Sequence, residues 1–370
     1  MRVLFTSVPL AGHFLPLVPL AWAFRAAGHD VLVASTEELL PAALRSGLPA
    51  VACVPAGRFH EHLAEVVMSE PGRQRSAHGR AFGALAADGR EGMGDLLRRW
   101  RPDLVVSERA EFAGALAAAE RGVPSVRYHW SVSDEYELNR AAAEVLGGDL
   151  TNLPDPVAVL DPWPIGLRLP QARQHLGIRH VPHHGDTAIP SWVFERGERP
   201  RICLTFGTVL PRFGGDSASR LIVALLESLS RLDVELVVAA DDELVATWPP
   251  LPVTYAGRMP LGAVLPTCAV AIHHGGQGTA LTAMLAGCPQ LVLPQVDDQF
   301  DNARAVAGSG AGLALAPDEA TPDLVVKACG ELLRIAGYRT AAVSLAASAA
   351  ALPAPAEVVT LLAEGRTDRR

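Results

Sequence analysis

Short, unbroken aliphatic runs recur along this chain in two series, and they constrain its fold more than any other feature. The first series is "VLFTS" (3 to 7), "DVLVAS" (30 to 35), "AVACVP" (50 to 55), "DLVVS" (103 to 107) and "SVRYH" (125 to 129). The second is "ICLTF" (202 to 206), "VELVVAA" (234 to 240), "VTYAG" (253 to 257), "VAIHH" (270 to 274) and "QLVLP" (290 to 294). A strand with one wet face alternates apolar and polar residues, whereas a strand covered on both faces need not. Unbroken runs therefore predict parallel sheets, whose neighbouring strands must be joined by crossover helices. Helical stretches do fall between the runs, at 16 to 27 and in the amphipathic "ASRLIVALLESLSRL" (218 to 232). The fold expected is α/β, with two Rossmann-like doubly wound parallel-sheet domains, and 370 residues suit two such cores better than one.

Between the two series, "VPHHGDTAIPSWVFERGERP" (181 to 200) carries three prolines and two glycines with little apolar periodicity, as a linker does. The division expected is a first domain over 1–182, a linker over 183–200, a second domain over 201–352 and a tail helix over 353–370. Two sheets on one linker are expected to face each other across a cleft. Residues 57 to 95 and 131 to 175 show weak periodicity, and such insertions often build binding walls.

Charge narrows the partners. With a net charge of −8 the chain has no basic field for a phosphate backbone, so nucleic acid is not an expected partner. The cysteines 53, 203, 268, 288 and 329 are scattered and odd in number, as expected of reduced core thiols in cytoplasm. The apolar N-terminus is broken by His13, Pro16 and Pro19 and reads as strand, turn and helix rather than a signal peptide. No unbroken apolar segment of about 20 residues follows, so no membrane span is expected.

Chemistry concentrates in the turns after the strands. In "HHGGQGT" (273 to 279) a strand runs into a glycine-rich turn, and Thr279 is placed to cap a helix that Gly287 ends. A helix N-terminus offers free N–H groups and partial positive charge, so a diphosphate is the natural guest, with Gly275, Gly276 and Gly278 letting its oxygens approach. Strand alternation turns His273 and His274 to opposite faces, and His274 is the expected phosphate contact. A glycine turn beside a core histidine would look the same in sequence. In "LPQVDDQFDNA" (293 to 303) Asp298 and Gln299 suit several sugar hydroxyls, because each makes more than one hydrogen bond. A metal is not expected, since Asp297 and Asp298 diverge and no further carboxylate stands at ligand spacing. The aromatics Trp22, Phe59, Trp130 and Trp163 suit either an acceptor pocket or the core, with the core favoured.

Together "HHGGQGT", "PQLVLPQVDDQFDNA" and "GHFLPLVPLAWAFRAAGHDVLVAS" resemble the GT-B glycosyltransferases that decorate bacterial antibiotics and polyketides. The resemblance spans the chain and is weakest in 57 to 95 and 131 to 175. It implies an acceptor-binding first domain and a donor-binding second domain, with His13 of "AGHFLP" as general base. Imidazole suits that task, because its ordinary pKa lies near neutrality. The family pairs this histidine with an aspartate where "PDLVVSERAEFAG" (102 to 114) has Glu108, one methylene longer. Asp134 and Glu135 of "WSVSDEYE" are a second set, since some relatives that join sugars to carbon use an acidic residue after such a tryptophan.

For the donor the resemblance implies Gly207 and Thr208 near the phosphates, Arg258 and Met259 near the base, His274, Gly275, Gly276, Gln277, Gly278 and Thr279 on the diphosphate, and Asp298 and Gln299 on the sugar. The activity implied is inverting transfer of a deoxysugar from a nucleotide diphosphate, thymidine diphosphate (TDP) above others, to a hydroxyl or aromatic carbon of a polyketide-type aglycone. No cofactor or metal is implied beyond the nucleotide sugar. A second copy of the chain or an auxiliary protein stays open as a partner. The alternatives are a non-catalytic helper that binds nucleotide sugar or aglycone for a partner enzyme, and a dinucleotide-dependent oxidoreductase. The second is disfavoured because no GxGxxG follows "VLFTS" or "ICLTF".

Overall fold

A computed structural model describes residues 1–55, 59, 62, 71–148, 150, 153–195, 197–207 and 215–365. The chain divides into two compact units, Met1–Val181 with the segment from Leu352 on, and Pro182–Ala351.

The first unit holds a seven-stranded parallel sheet in the order β3-β2-β1-β4-β5-β6-β7. Its strands are β1 (Arg2–Thr6), β2 (Asp30–Thr36), β3 (Ala50–Val54), β4 (Leu104–Glu108), β5 (Ser125–Tyr128), β6 (Ala158–Asp161) and β7 (Leu176–Gly177). After β1 the chain enters α1 (Ala11–Phe14), turns at Leu15–Leu17 and continues as α2 (Val18–Ala26); α3 (Leu40–Arg45) follows β2. Leu4 and Val105 are fully buried on one face of the sheet, Phe5 and Val106 on the other, which is why these strands read as unbroken apolar runs. β1 pairs with both β2 and β4, with Thr6 beside Ser107, so the strand order reverses between β1 and β4.

The insertion at 57 to 95 is where the sequence reading fails. From Pro71 to Trp100 the chain is a single helix, α4, packed on α5 (Phe112–Arg121) and α6 (Tyr136–Val145). Its glycines suggest a loop, yet they serve close approach. A Cβ on Gly79 would stand 2.3 Å from the Leu138 carbonyl oxygen, and one on Gly92 equally close to that of Cys53. Phe82, Leu85, Ala86, Met93 and Leu97 form the helix's buried stripe. Strands β6 and β7, within and just beyond the 131 to 175 segment, are also absent from the sequence reading, both being short and β6 flanked by Pro156 and Pro162.

The second unit repeats the plan with six parallel strands in the order β10-β9-β8-β11-β12-β13. They are β8 (Arg201–Thr205), β9 (Glu235–Ala239), β10 (Tyr255–Gly257), β11 (Val270–His273), β12 (Gln290–Val292) and β13 (Gly312–Ala314). The helices that cover them include α7 (Gly215–Leu229), α8 (Gln277–Leu285), α9 (Gln299–Gly308), α10 (Pro322–Arg334) and α11 (Ala336–Ala350). The order reverses between β8 and β11. In open α/β sheets such a reversal opens a crevice at the carboxyl ends of the strands, where ligands bind. The last helix, α12 (Pro355–Ala363), packs on α2, so the tail belongs to the first unit rather than standing apart. The apolar stretch Ala336–Ala363 has the length of a membrane span, but Pro353 and Pro355 split it into α11 and α12, which pack in different units. The five cysteines form no disulfide; four are buried and Cys53 is half-buried.

Candidate active site

In the first unit the reversal point carries His13 and Glu108. Glu108 ends β4, and His13 lies one turn into the helical segment that follows β1. The extra methylene of Glu108 does not keep it away: Nδ1 of His13 lies 3.1 Å from its Oε2, though the N–H is not aimed squarely at that oxygen. Glu108 is 1% exposed. The backbone N–H of Ala110 and the Trp130 indole N–H donate to Oε2 at 2.8 and 2.7 Å, and the backbone N–H of Val8 donates to Oε1 at 3.3 Å. Burial pushes the Glu108 pKa up, but His13 and these donors outweigh it and hold the carboxyl below its ordinary value. An ionised carboxylate beside Nδ1 favours the tautomer that leaves Nε2 as the basic nitrogen.

Three residues on, Glu111 has the opposite environment. Burial raises its pKa to about 7, against hydrogen bonds from the Thr6 hydroxyl at 2.5 Å and the Gly114 backbone N–H. It accepts from Gly114 as the N-cap of α5. One turn thus holds one carboxylate ionised and keeps a proton on its neighbour up to neutral pH.

Asp134 is exposed, and its Oδ1 accepts the Tyr136 backbone N–H at the start of α6. Glu135 is held by His129 at 2.8 Å, Arg109 at 3.5 Å and Arg127 at 3.7 Å. Burial is outweighed there by Arg109 and His129, so its pKa falls well below the carboxylate range and it is a poor base near neutrality. The aromatics divide in the same way. Phe59, Trp130 and Trp163 are core residues, and Trp22 is 41% exposed with its indole N–H on the Ser46 carbonyl. Phe82, which the sequence did not single out, stacks on Phe59 and lies 5.8 Å from the His13 ring.

In the second unit the reversal point carries "HHGGQGT". His273 is fully buried. Its Nδ1 accepts the Gly275 N–H at 3.0 Å, so Nε2 carries the proton and donates to Gln290 Oε1 at 2.8 Å. Burial pushes its pKa down to about 4. The His274 ring lodges between Gly207, just past β8, and Gly276: a Cβ on either would lie 2.6 or 2.5 Å from ring atoms. Burial first, then His273, push the His274 pKa down to about 3, against the Thr205 backbone. His274 is therefore neutral at physiological pH and offers hydrogen bonds rather than a charge.

The glycines and the cap differ from expectation. Gly276, not Thr279, is the N-cap of α8; Thr279 is the third helical residue, and no side chain caps this end. Gly287 does follow the helix in left-handed conformation, φ 59. Gly275, φ 90, stands where a Cβ would meet the Gln299 carbonyl oxygen at 2.9 Å, and only Gly278 faces open space. So Gly275 and Gly276 make room for protein, and Gly278 leaves room for a guest. Gln277 is 5% exposed, yet neither atom of its amide has a hydrogen-bond partner. Buried polar groups are nearly always paired, so this amide marks a place for a polar guest.

Asp298 and Gln299 start α9, and Gln299 Oε1 already accepts the backbone N–H groups of Gln295 and Val296. Asp297 before them holds a left-handed backbone, φ 44, unusual outside glycine. Sequence reasoning missed Asn302, which is fully buried and donates to both the Gly275 carbonyl at 2.9 Å and Asp298 Oδ2 at 3.0 Å. It locks the turn after β11 to the start of α9; the only signal for it is an amide four residues after Asp298, on the same helix face. Arg258 lines a pocket of about 390 Å³ with Asp186, Asp242 and Tyr255, and Asp242 accepts its backbone N–H. Met259 is a core residue. Thr208 lies outside the described residues.

Comparison with known proteins covers almost the whole chain. Residues 22–207 match the N-terminal domain, and 223–364 the C-terminal domain, of the family described as erythromycin biosynthesis protein CIII-like. The chain is 38% identical to L-demethylnoviosyl transferase of Streptomyces niveus, over 98% of each chain. It is 32% identical to 3-alpha-mycarosylerythronolide B desosaminyl transferase of Saccharopolyspora erythraea, over the full length of both. Among solved structures, a glycosyltransferase of Streptomyces sp. SF2575 in complex with thymidine diphosphate superposes with a TM-score of 0.86, at 35% identity, over 98% of this chain and 99% of that one. Spinosyn rhamnosyltransferase SpnG, also in complex with thymidine diphosphate, does so with a TM-score of 0.87 at 30% identity, over 98% and 100%.

Proposed function

Since the chain belongs to the erythromycin biosynthesis protein CIII-like glycosyltransferases, we propose that it transfers a deoxysugar from a TDP donor to a hydroxyl of a polyketide-type aglycone, with inversion. The observation that carries this reading is the N-terminus of α8, uncapped by any side chain, with the unpartnered amide of Gln277 buried in its first turn. A diphosphate accepts from both the helix N–H groups and the Nε2 hydrogens of that amide, whose Oε1 is left to a donor such as a sugar hydroxyl. Neutral His274 adds a hydrogen bond, and Asp298 and Gln299 take the sugar. Charge that develops on the departing TDP meets fixed donors, so the reading invokes no metal.

In the first unit His13 takes the acceptor's proton as the acceptor oxygen attacks the anomeric carbon and the bond to TDP breaks. Glu108, ionised and 3.1 Å from Nδ1, stabilises the imidazolium that results. A base–carboxylate pair within reach supports an enzyme over a helper that only binds. The exposed Asp134 and the locked Glu135 support a hydroxyl acceptor over the carbon-linking arrangement.

Calorimetric titration with TDP, followed by incubation with TDP-deoxysugars and polyketide aglycones, tests the reading. Expected are TDP binding that Gln277→Ala weakens about tenfold, and an acid-labile glycoside product. Absence of TDP binding would overturn the donor assignment, and an acid-stable product the hydroxyl acceptor.

A further inference from the structure

Trp130 has no part in the reaction as described, yet three contacts tie it to the base pair. It lies two residues beyond β5 and is 8% exposed. Its indole N–H donates to Oε2 of Glu108 at 2.7 Å, the shortest contact that carboxylate makes. Its ring meets the His13 ring edge-on, 4.5 Å between centroids. The Arg109 guanidinium lies 4.6 Å from the indole centroid. Arg109 is 2% exposed and is itself fixed, donating to the hydroxyls of Ser131 at 2.5 Å and Ser133 at 2.9 Å and facing Glu135.

We propose that Trp130 is a positioning residue for the general base: its indole N–H fixes the conformer of Glu108 and sets how tightly that carboxylate holds a proton on His13. The proposal rests on the reading of His13 as the base. A glutamate has one more torsion than an aspartate, so presenting Oε2 to His13 freezes one more degree of freedom. The backbone N–H groups of Val8 and Ala110 supply part of the restraint. With His13 3.1 Å from Oε2 but its N–H not squarely aimed, the indole is the only side chain that donates a well-formed hydrogen bond to Glu108 among the described residues.

Each N–H that a carboxylate accepts lowers its affinity for a proton and weakens its hold on a neighbouring imidazolium. The charged groups around the pair are few. Glu111 faces Glu108 from the β4–α5 turn, Arg109 lies against the indole, and the His13 ring is otherwise met by Phe82. Loss of the indole N–H therefore leaves more of the Glu108 charge to His13, and the histidine keeps its proton to higher pH.

Trp130→Phe keeps a ring for His13 and Arg109 and removes only the N–H. Expected are a fall in kcat of about tenfold and an acid limb of kcat/KM about half a pH unit higher, with TDP affinity within about twofold of the parent. In a Glu108→Gln background the same change should cost less than about twofold, because the charge it modulates is gone. An unmoved acid limb together with full additivity in the double variant would overturn the proposal.

Should Trp130→Phe not fold, the Trp130 indole N–H resonance of the unaltered protein takes its place. It is expected to shift as His13 titrates and to lose that response in Glu108→Gln; indifference to pH in both proteins overturns the proposal. His13→Ala separates the two readings. Full turnover in that variant removes the base assignment and this proposal with it, whereas lost turnover there with an additive double variant removes the Trp130 role alone.

Discussion

His13 and His274 both stand at the reversal of strand order in sheets of one plan, His13 in the helical segment after β1 and His274 directly after β11, and their surroundings drive them apart. His13 stands 3.1 Å from an ionised carboxylate that backbone and indole N–H groups hold in place. His274 pairs with no acidic side chain among the described residues, lies between two glycines, and is pushed down to about 3 by burial. The lesson is that a histidine after a strand has no role of its own. A fixed negative neighbour makes it a proton acceptor, and desolvation without one makes it a neutral donor.

The contrast fails first, if it is wrong, at His13. His13→Ala is expected to lower turnover by about 10²–10⁴-fold while TDP affinity stays within about twofold, as measured by initial rates and calorimetry. Retention of full turnover would place the base elsewhere. The mirror experiment is Gly276→Ala, whose Cβ takes the space of the His274 ring. It is expected to weaken TDP binding by about 10–100-fold and to leave the acid limb of kcat/KM unmoved. A moved limb would mean that the two histidines are not separable.

Asn302→Ala sharpens the donor side. It leaves the Gly275 carbonyl and Asp298 without a shared partner, so the donor KM should rise about tenfold and stability fall by about 1–3 kcal/mol. Unchanged donor KM would reduce Asn302 to a core residue.

The smallest effect concerns the second carboxylate of the first unit. Glu111 has its pKa raised from 4.5 to about 7, so between those values the folded protein keeps a proton that the unfolded chain releases. The stability this contributes is fully present below 4.5 and is lost as pH rises through about 7, up to about 3 kcal/mol. Glu111→Gln should flatten that decline in thermal unfolding temperature against pH. A decline of unchanged slope would assign it to other groups.

What could be read from sequence follows from the range of the interactions involved. Unbroken aliphatic runs report burial on both faces of a strand, a local property, and they located the central strands of both sheets. Turn chemistry is as local: glycines after β11 and the carboxylate after β12 marked the turns that follow these strands in the second sheet. Helix α4 was missed because Gly79 and Gly92 break a helix by propensity and make one by packing, and the partners they approach lie far along the chain. The expected cap at Thr279 was wrong because Gly276 gives its place to the His274 ring.

By itself, then, the sequence determined the strand and helix periods, the place of the reversal turns and the residue types gathered in them, because these depend on neighbours within a few positions. Only the tertiary structure decided that Glu108 reaches His13, that Glu135 is locked in an ion pair, that Asn302 joins two motifs and that the Trp130 indole donates to Glu108. Those outcomes depend on burial and on distances of a few ångströms between residues up to about a hundred positions apart. There a single methylene, or a ring in place of open space, changes which charge state is the stable one.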